Sequence, residues 1–386
     1  MDQYILTGII SFLSVFISFL FALFLLTVKT EHKLNNRLLA CFIIFNGIDI
    51  SGFFSYYFLQ HEPVLEMFRG QTSLLIIPFF YLYVLSVCYA DFSLKPKHLL
   101  HISPFLLANL IITPRFYLAD STARFLFLDN YNQMPEAIFL QIFILFQLTF
   151  YITAIFLVLR KYKKIYLENY TNPASVTYQW LFQFTCLLAA QYFIAALKNL
   201  LKYTDYTHIA GWVYPLVGLT ALSVLCWFVL KALHHPDLFR GIDSKLKLVS
   251  DFIPDSPADM PTADQPASNL PDQDKITALR KFMEQEEPYL EPSLTIQDLA
   301  GQMKIQVRDL SILINHQLNQ HFFDFINEYR IQKAMAILRD PRKNELNIQE
   351  VLYAVGFNSK STFNFAFKKY TKQTPTQYRN SSLQTR

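Results

Sequence analysis

The chain has 386 residues, of which 52% are hydrophobic and 17% are charged, and its mean hydropathy is +0.22. This length allows two or three domains, and so apolar a composition is unusual for a soluble protein and typical of several membrane spans. The formal net charge of +4 is small, so its distribution along the chain is more informative than the total. The four cysteines form no CxxC pair and lie in apolar segments, which indicates neither a zinc site nor a disulfide framework.

Seven apolar segments are long enough to cross a bilayer as helices. The first is too long for a signal-peptide core and has no Lys or Arg before it, so we interpret it as a true span. The fourth is the least regular, because Pro104 and Pro114 interrupt it, and a re-entrant fourth segment would change the parity of the count. The predicted spans are Tyr4–Val28, Leu34–Leu59, Phe68–Ala90, Leu99–Leu118, Ala137–Leu159, Val176–Leu201 and Ile209–Leu233.

The short loops between these segments differ in charge, which predicts the orientation of the chain. The first, third and fifth loops hold nine basic residues, whereas the even loops and the end of the sixth span hold five. The odd loops are therefore expected in the cytoplasm. Seven spans then place the N-terminus outside and the C-terminal part inside.

Polar side chains within the apolar segments are candidates for signal sensing. Asp49, which we place near the middle of the second span beside Asn46, is costly there unless it faces the bundle interior or water. The alternative is that the acid is merely tolerated and that nearby amides bond between helices; these amides are Asn109, Gln141, Gln147, Gln183 and Gln191. His98 and His101 have the spacing of a metal pair, but no third ligand is near them in sequence, so no metal site is expected.

No motif of a hydrolase, metalloprotease, kinase or phosphate-binding loop occurs in the chain, so we predict that the protein is not an enzyme and needs no cofactor. An intramembrane enzyme would need paired catalytic groups, and Asp49 is alone. Composition changes sharply after the last span. Residues 250–274 hold five prolines and six aspartates without Lys or Arg, which predicts an extended linker. The predicted domains are therefore a membrane domain at 1–235, a linker at 236–274 and a helical domain at 275–386.

The C-terminal domain contains a weak internal repeat. The stretch Leu294–Ala300 matches Leu346–Leu352, and each holds a capping residue followed by an acid three positions later. This pattern predicts two helix-turn-helix units, with second helices near residues 306–316 and 359–370. Residues 321–339 have apolar side chains at helical spacing, which predicts one long helix that connects the units rigidly.

The second unit has the features of a DNA-reading helix. Gly356 suits the sharp corner, Asn358 or Ser359 can cap the helix that follows, and Phe363 and Phe367 share a buried face. From residue 351 to the end there are six Lys or Arg and no acid, so this unit should supply most of the attraction to phosphate. The alternative is a basic surface helix with no nucleic-acid role.

This domain resembles the arabinose-regulator (AraC/XylS) family of transcription factors over roughly Leu279–Arg379, under a third of the chain. Two positions depart from the family pattern: Lys372 stands where glycine is usual, and Leu352 replaces a small residue. The resemblance is carried by Leu310-Ser311, by Phe325–Ile331 with Ala334 and Leu338, and by Ile348, Gly356-Phe357, Ser361, Phe363, Phe367–Lys369, Thr374-Pro375 and Tyr378-Arg379.

The resemblance implies which residues contact DNA. The candidates for base reading are Gln306, Arg308 and Asp309 in the first unit, and Asn358, Lys360, Ser361 and Asn364 in the second. Arg or Lys suits guanine, and Asn or Gln suits adenine. Lys368, Lys369 and Lys372 are expected to contact phosphate. For each of these residues the alternative is a solvated surface position.

These features together predict an all-α protein in which a seven-helix membrane bundle controls a cytoplasmic DNA-binding domain. Its expected partners are double-stranded DNA and the lipid bilayer, with a small-molecule ligand as a candidate signal and a homodimer as the form the family resemblance implies. The rival hypothesis is a transporter or receptor whose C-terminal domain binds a protein. It accounts for Asp49, but it does not account for two helix-turn-helix units with a basic excess in the second.

Overall fold

The computed structural model describes residues 3–28, 33–171, 175–201, 207–234 and 272–384. The chain divides into two compact units, one comprising Met1–Arg160 with Val176–Ser244 and the other Lys161–Ser175 with Lys245–Arg386. Across the described ranges the fold is all-α, as predicted, with no β-strand and one isolated antiparallel bridge between Tyr170 and Thr295. The predicted linker, residues 236–274, lies outside the described residues except for its last three.

The first ten α-helices belong to the membrane part of the sequence, although the eighth extends past residue 160 into the second unit. Their bounds are α1 Gln3–Thr27, α2 Lys33–Ile50, α3 Tyr56–Leu59, α4 Pro63–Gln71, α5 Ile76–Cys88, α6 Ser103–Ile112, α7 Ser121–Asp129, α8 Pro135–Asn169, α9 Ser175–Leu201 and α10 Thr207–His234.

Six described helical stretches are long and apolar enough to span a membrane: Ile5–Thr27, Lys33–Phe53, Pro63–Cys88, Pro96–Tyr117, Pro135–Asn169 and Tyr178–Leu197. The seventh predicted span corresponds to α10, whose described part holds a shorter apolar stretch at Leu216–Phe228. The second span ends at Phe53 rather than at Leu59, because the backbone leaves the helical conformation at Phe54, with φ of −135°, and a separate short helix covers Tyr56–Leu59.

Helix α1 packs against α2 and α10 through small residues. Ser11, Ser14 and Ser18 are fully buried on one face, and a side chain added at Gly47 of α2 would lie 3.2 Å from the Cβ of Ser18. The opposite face exposes large apolar groups such as Phe12, which is 63% exposed. Small residues inside and large apolar residues outside are typical of a helix whose outer face meets lipid.

The second unit contains seven helices among the described residues. They are α11 Asp272–Glu286, α12 Ile296–Met303, α13 Val307–Ile312, α14 Phe322–Arg339, α15 Ile348–Ala354, α16 Lys360–Thr371 and α17 Pro375–Gln384. Helices α12 and α13 form one helix-turn-helix and α15 and α16 the other, as predicted.

Helix α14 connects the two helix-turn-helix units because it contributes to both of their apolar cores. Its first half places Phe322, Phe325 and Ile326 in the core of the first unit, and its second half places Ala334 and Leu338 in the core of the second. A continuous helix is stiff, so the two units are held at a defined separation.

Capping boxes confirm the two helix starts that the sequence repeat predicts. The Thr295 hydroxyl accepts from the amide of Asp298, whose carboxylate accepts from the Thr295 amide. Asn347 and Glu350 make the same reciprocal bonds at the start of α15. Each box satisfies two backbone donors that would otherwise lack partners.

Candidate nucleic-acid interface

The corner before α16 requires glycine, as the sequence indicates. Gly356 has φ of 87°, and a Cβ atom built on it would lie 2.7 Å from the carbonyl oxygen of Tyr289 and 2.8 Å from that of Leu290. The amide of Phe357 donates to the Leu352 carbonyl at 3.1 Å, which closes the turn. The corner is therefore fixed both by its own backbone and by the loop packed against it.

Helix α16 has one buried face and one outward face. Phe363 and Phe367 are fully buried, with ring centroids 5.6 Å apart. Lys360 and Ser361 are exposed and Asn364 is half-buried, so the outward face carries donors near the start of the helix, where helix-turn-helix proteins read bases. Ser359 occupies the N-cap position but makes no capping bond, because its hydroxyl lies 2.8 Å from that of Ser361.

Phe365 is a residue that the sequence interpretation missed. It is 68% exposed on the outward face of α16, although it lies between two fully buried phenylalanines. The spacing of the phenylalanines predicts this exposure. Phe363 and Phe367 are four apart and can share a buried face, so Phe365, midway between them, must point away from it. An exposed aromatic ring on a reading helix can contact the methyl group of thymine.

The first reading helix, α13, is short and ends in one π-helical turn from Leu313 to Gln317. Gln306 is its N-cap, and Gln306, Arg308 and Asp309 are all exposed. Asp309 lies in the first turn, where a carboxylate favours the helix dipole, and it can also accept from the amino group of cytosine. Apart from the half-buried Asn364, the two sets of candidate base-reading residues are thus exposed near the starts of both second helices.

The three candidate phosphate-binding lysines differ in their surroundings. Lys368 is exposed. Lys369 forms an ion pair with Asp324 of α14, with Nζ and Oδ1 2.6 Å apart, so its charge is partly neutralised within the domain. Lys372 ends α16 with φ of 62°, which keeps the left-handed turn usual for glycine, and its ammonium donates to the Lys369 carbonyl at 3.2 Å.

Arg330 of α14 holds the loop that packs against the glycine corner. Its guanidinium is buried and donates to the carbonyl oxygens of Tyr289 at 2.6 Å and Glu291 at 2.7 Å. Burial lowers the pKa of Arg330 to about 10, so the group stays charged at neutral pH. The same guanidinium lies 5.5 Å from the centre of the Phe357 ring, a favourable cation–π distance.

The candidate signal residues line a cavity in the first unit. Asp49 lies in the last turn of α2 rather than near the middle of the span, because α2 ends at Ile50. Asp49 and Asn46 face a cavity of about 110 Å³, together with Gln191 and aromatic side chains that include Phe42 and Phe228. The Gln191 amide nitrogen donates to the Val217 carbonyl at 3.0 Å, but its buried Oε1 accepts no hydrogen bond from the residues described.

The two histidines with metal-pair spacing have other partners. His98 Nδ1 accepts from the Lys95 amide at 2.9 Å, and His101 Nδ1 lies 2.6 Å from the Tyr151 hydroxyl. Over the described ranges, no group of three or more His, Cys, Asp or Glu side chains is placed to hold a metal ion. These contacts give the histidines structural roles.

Comparisons with known proteins match the C-terminal domain. A family model described as a helix-turn-helix domain matches residues 299–381. An uncharacterised HTH-type transcriptional regulator, YdeC of Bacillus subtilis, is 33% identical over 86 residues, which are 22% of this chain and 28% of that protein. The HTH-type transcriptional regulator AlkR of Acinetobacter baylyi is 28% identical over 94 residues, which are 24% of this chain and 30% of AlkR.

Among solved structures, the C-terminal domain of AraT, a response regulator from Geobacillus stearothermophilus, is 25% identical, with a TM-score of 0.25. It covers 30% of this chain and 88% of that one. The matched part of this chain spans less than a third of the length of YdeC and AlkR. The C-terminal region of this protein is a helix-turn-helix domain, similar to domains of proteins named as HTH-type transcriptional regulators.

Proposed function

We propose that the protein is a membrane-anchored transcription regulator that reads specific DNA sequences with both helix-turn-helix units. The observation that carries this proposal is that one helix, α14, supports two units whose candidate reading residues are exposed except for the half-buried Asn364. Such an arrangement suits two successive major grooves on one face of a duplex, about 34 Å apart.

In this proposal, each of the two reading helices contacts a different major groove with its outward face. Gln306, Arg308 and Asp309 read one groove; Asn358, Lys360, Ser361 and Asn364 read the next, where Phe365 contacts a thymine methyl. Lys368 and Lys372 contact phosphate. Lys369 contributes less than the sequence predicts, since Asp324 already pairs with it.

The membrane part anchors the domain and positions it in the cytoplasm. The support for anchoring is the set of long apolar helices with exposed apolar faces. The support for the orientation is the excess of basic residues in the odd loops. We place the protein in the bacterial inner membrane with its N-terminus outside.

The cavity at Asp49, Asn46 and Gln191 is the proposed signal site. Its polar groups include the Asp49 carboxylate and the Gln191 Oε1, which accepts no hydrogen bond from the part of the chain that the structure describes, whereas most of its other lining residues are apolar. A small amphipathic molecule whose head donates hydrogen bonds, such as an amine with an apolar tail, complements this lining.

Binding of selected DNA by the full-length protein in lipid nanodiscs tests the regulatory function. The preferred site is first selected from a random library, and affinities are then measured for that site and for random DNA. Replacing both Lys360 and Asn364 with alanine should weaken binding to the selected site about tenfold or more, because each base contact discriminates by roughly 1–3 kcal/mol, and should change binding to random DNA much less.

The matched control replaces Lys281 and Gln285, an exposed lysine and amide on α11, with alanine. The control should bind both DNAs as the parent does. Equal loss on both DNAs in the Lys360 and Asn364 variant contradicts the base-reading role, and a parent protein that selects no sequence favours a partner-binding receptor. The mass of the complex shows whether one chain or a homodimer binds.

A further inference from the structure

Residues 161–171, here called the docking segment, belong to the same compact unit as the DNA-binding domain. The segment begins within α8, which continues as one helix to Asn169. At its end, Tyr170 pairs with Thr295 in an antiparallel bridge, and the hydroxyl of Thr171 donates to the Leu294 carbonyl at 2.8 Å. The segment therefore contacts the start of the first helix-turn-helix unit.

The docking segment buries polar residues in this contact. Glu168, Asn169 and Thr171 are 3%, 5% and 1% exposed. Burial of polar groups is costly unless they are hydrogen-bonded, so the contact needs defined partners. Asn169 donates to the Ile165 carbonyl at 2.7 Å, and Thr171 bonds to the loop before α12.

One route of contacts leads from Thr171 to the second reading helix. The buried Arg330 lies 3.5 Å from the Thr171 hydroxyl through Nη2, while its other bonds hold the carbonyls of Tyr289 and Glu291. The Tyr289 carbonyl packs against the Gly356 corner, and Phe357 lies beneath the guanidinium. The guanidinium thus touches both the docking segment and the corner that starts α16.

A second route leads to the end of the first reading helix. The side-chain amide of Asn315 donates to the Glu168 carbonyl at 3.4 Å and to the Ser311 hydroxyl of α13 at 3.2 Å. Its oxygen accepts from the Phe322 amide at 3.0 Å, at the start of α14. Asn315 thus joins the docking segment to α13 and to the helix that connects the two units.

The docking segment touches the DNA-binding unit away from the candidate reading residues. Gln306, Arg308, Asn358, Lys360 and Ser361 remain exposed while it is docked. Docking therefore leaves the DNA face accessible. It acts instead on Arg330 and Asn315, the residues that contact the corner before α16 and the end of α13.

We propose that the docking segment is a built-in partner of the DNA-binding domain that fixes the relative position of the two reading helices. Helix α8, which is continuous with it, is the element through which a change in the membrane part reaches both helices. This inference rests on the proposed regulatory function and adds the site at which DNA binding is controlled.

The test replaces Thr171 with valine, which keeps the shape of the side chain and removes its hydroxyl. The matched control is Thr277→Val, because the exposed Thr277 hydroxyl donates to the Gln273 carbonyl of its own helix at 2.9 Å. Full-length proteins in nanodiscs are titrated with DNA that carries both selected half-sites and with DNA that carries one.

Thr171→Val should lower affinity for the two-half-site DNA about fivefold, the size expected for one lost buried hydrogen bond, and leave affinity for one half-site nearly unchanged. Thr277→Val should match the parent on both DNAs. Equal affinity of Thr171→Val and the parent for the two-half-site DNA, or an equal loss on both DNAs, overturns the proposal.

Hydrogen exchange without DNA separates this proposal from the proposed function. In Thr171→Val, amides at the start of α12 and in the corner at residues 356–358 should exchange several-fold faster than in the parent, and in Thr277→Val they should not. If Thr171→Val exchanges faster than the parent but the parent selects no DNA sequence, the regulatory function alone is overturned. Unchanged exchange in Thr171→Val overturns the docking proposal.

Discussion

Two glycines in the DNA-binding domain show how differently one residue type can act. Gly356 has a positive φ and faces two backbone carbonyls that cannot move aside as a side chain can. Gly301 lies inside α12, with no atom within 4 Å of the place where a Cβ would be. The sequence indicated the role of Gly356 because glycine precedes a reading helix there, but the carbonyls of Tyr289 and Leu290 come from a loop more than sixty residues earlier.

Gly356→Ala should destabilise the second unit by about 2–4 kcal/mol, since left-handed strain adds to an unrelieved clash. Gly301→Ala should stabilise its helix by about 0.5–1 kcal/mol, because alanine loses less backbone entropy there. Native-state hydrogen exchange of amides in the helix-turn-helix units measures both. Similar effects of the two substitutions would show that the corner tolerates a side chain.

At the scale of elements, the starts of α12 and α15 could be predicted from local sequence. The end of α16 could not, and it holds a strained residue. The capping boxes at Thr295 and Asn347 and the span of α14 were predictable because their signals lie within a few residues or follow helical periodicity. The ion pair of Lys369 with Asp324 was not predictable, since its partners are 45 residues apart on different helices. At the end of α16, Lys372 takes the left-handed conformation that glycine adopts without cost.

Replacing Lys372 with glycine should therefore stabilise the second unit by about 1 kcal/mol, because a left-handed residue with a side chain is strained by roughly that amount. The same substitution at Lys281, inside α11, should destabilise its helix by about 1 kcal/mol. Exchange rates of amides in α16 and α11 provide the measurement. A loss of stability at position 372 would mean that the bond from its ammonium to the Lys369 carbonyl outweighs the strain.

At the scale of the whole molecule, the membrane part supplies the cavity and the C-terminal part supplies the DNA-binding surface. Sequence reasoning singled out Asp49 and Asn46, which line the cavity, because polar groups in an apolar helix are unusual, and it placed the second helix of each helix-turn-helix unit through their repeat. It could not find the docking segment, because the bond from Thr171 to Leu294 joins residues 123 positions apart without a local signal.

The proposed signal site predicts selective binding of an amphipathic amine. Dodecylamine should change the fluorescence of the full-length protein saturably, because Trp180 packs against Phe184 and Phe228, which both line the cavity. Asp49→Asn should weaken this binding about tenfold through loss of a charge-assisted hydrogen bond. The control is Asp129→Asn, at an exposed position of α7. Equal binding of dodecanol, or no effect of Asp49→Asn, would contradict an acidic head-group site.

Residues 161–175 and 245–386 fold into one compact unit, so both stretches lie on the same side of any membrane that the chain crosses. The chain between them, residues 176–244, must then cross an even number of times. It contains two long helices, α9 and α10, so either both cross or neither does. If α9 crosses, as its length and apolar composition allow, α10 crosses as well, although only Leu216–Phe228 of its described part forms an apolar stretch. The packing of residues 161–171 into the DNA-binding unit thus requires that the number of membrane crossings after them be even.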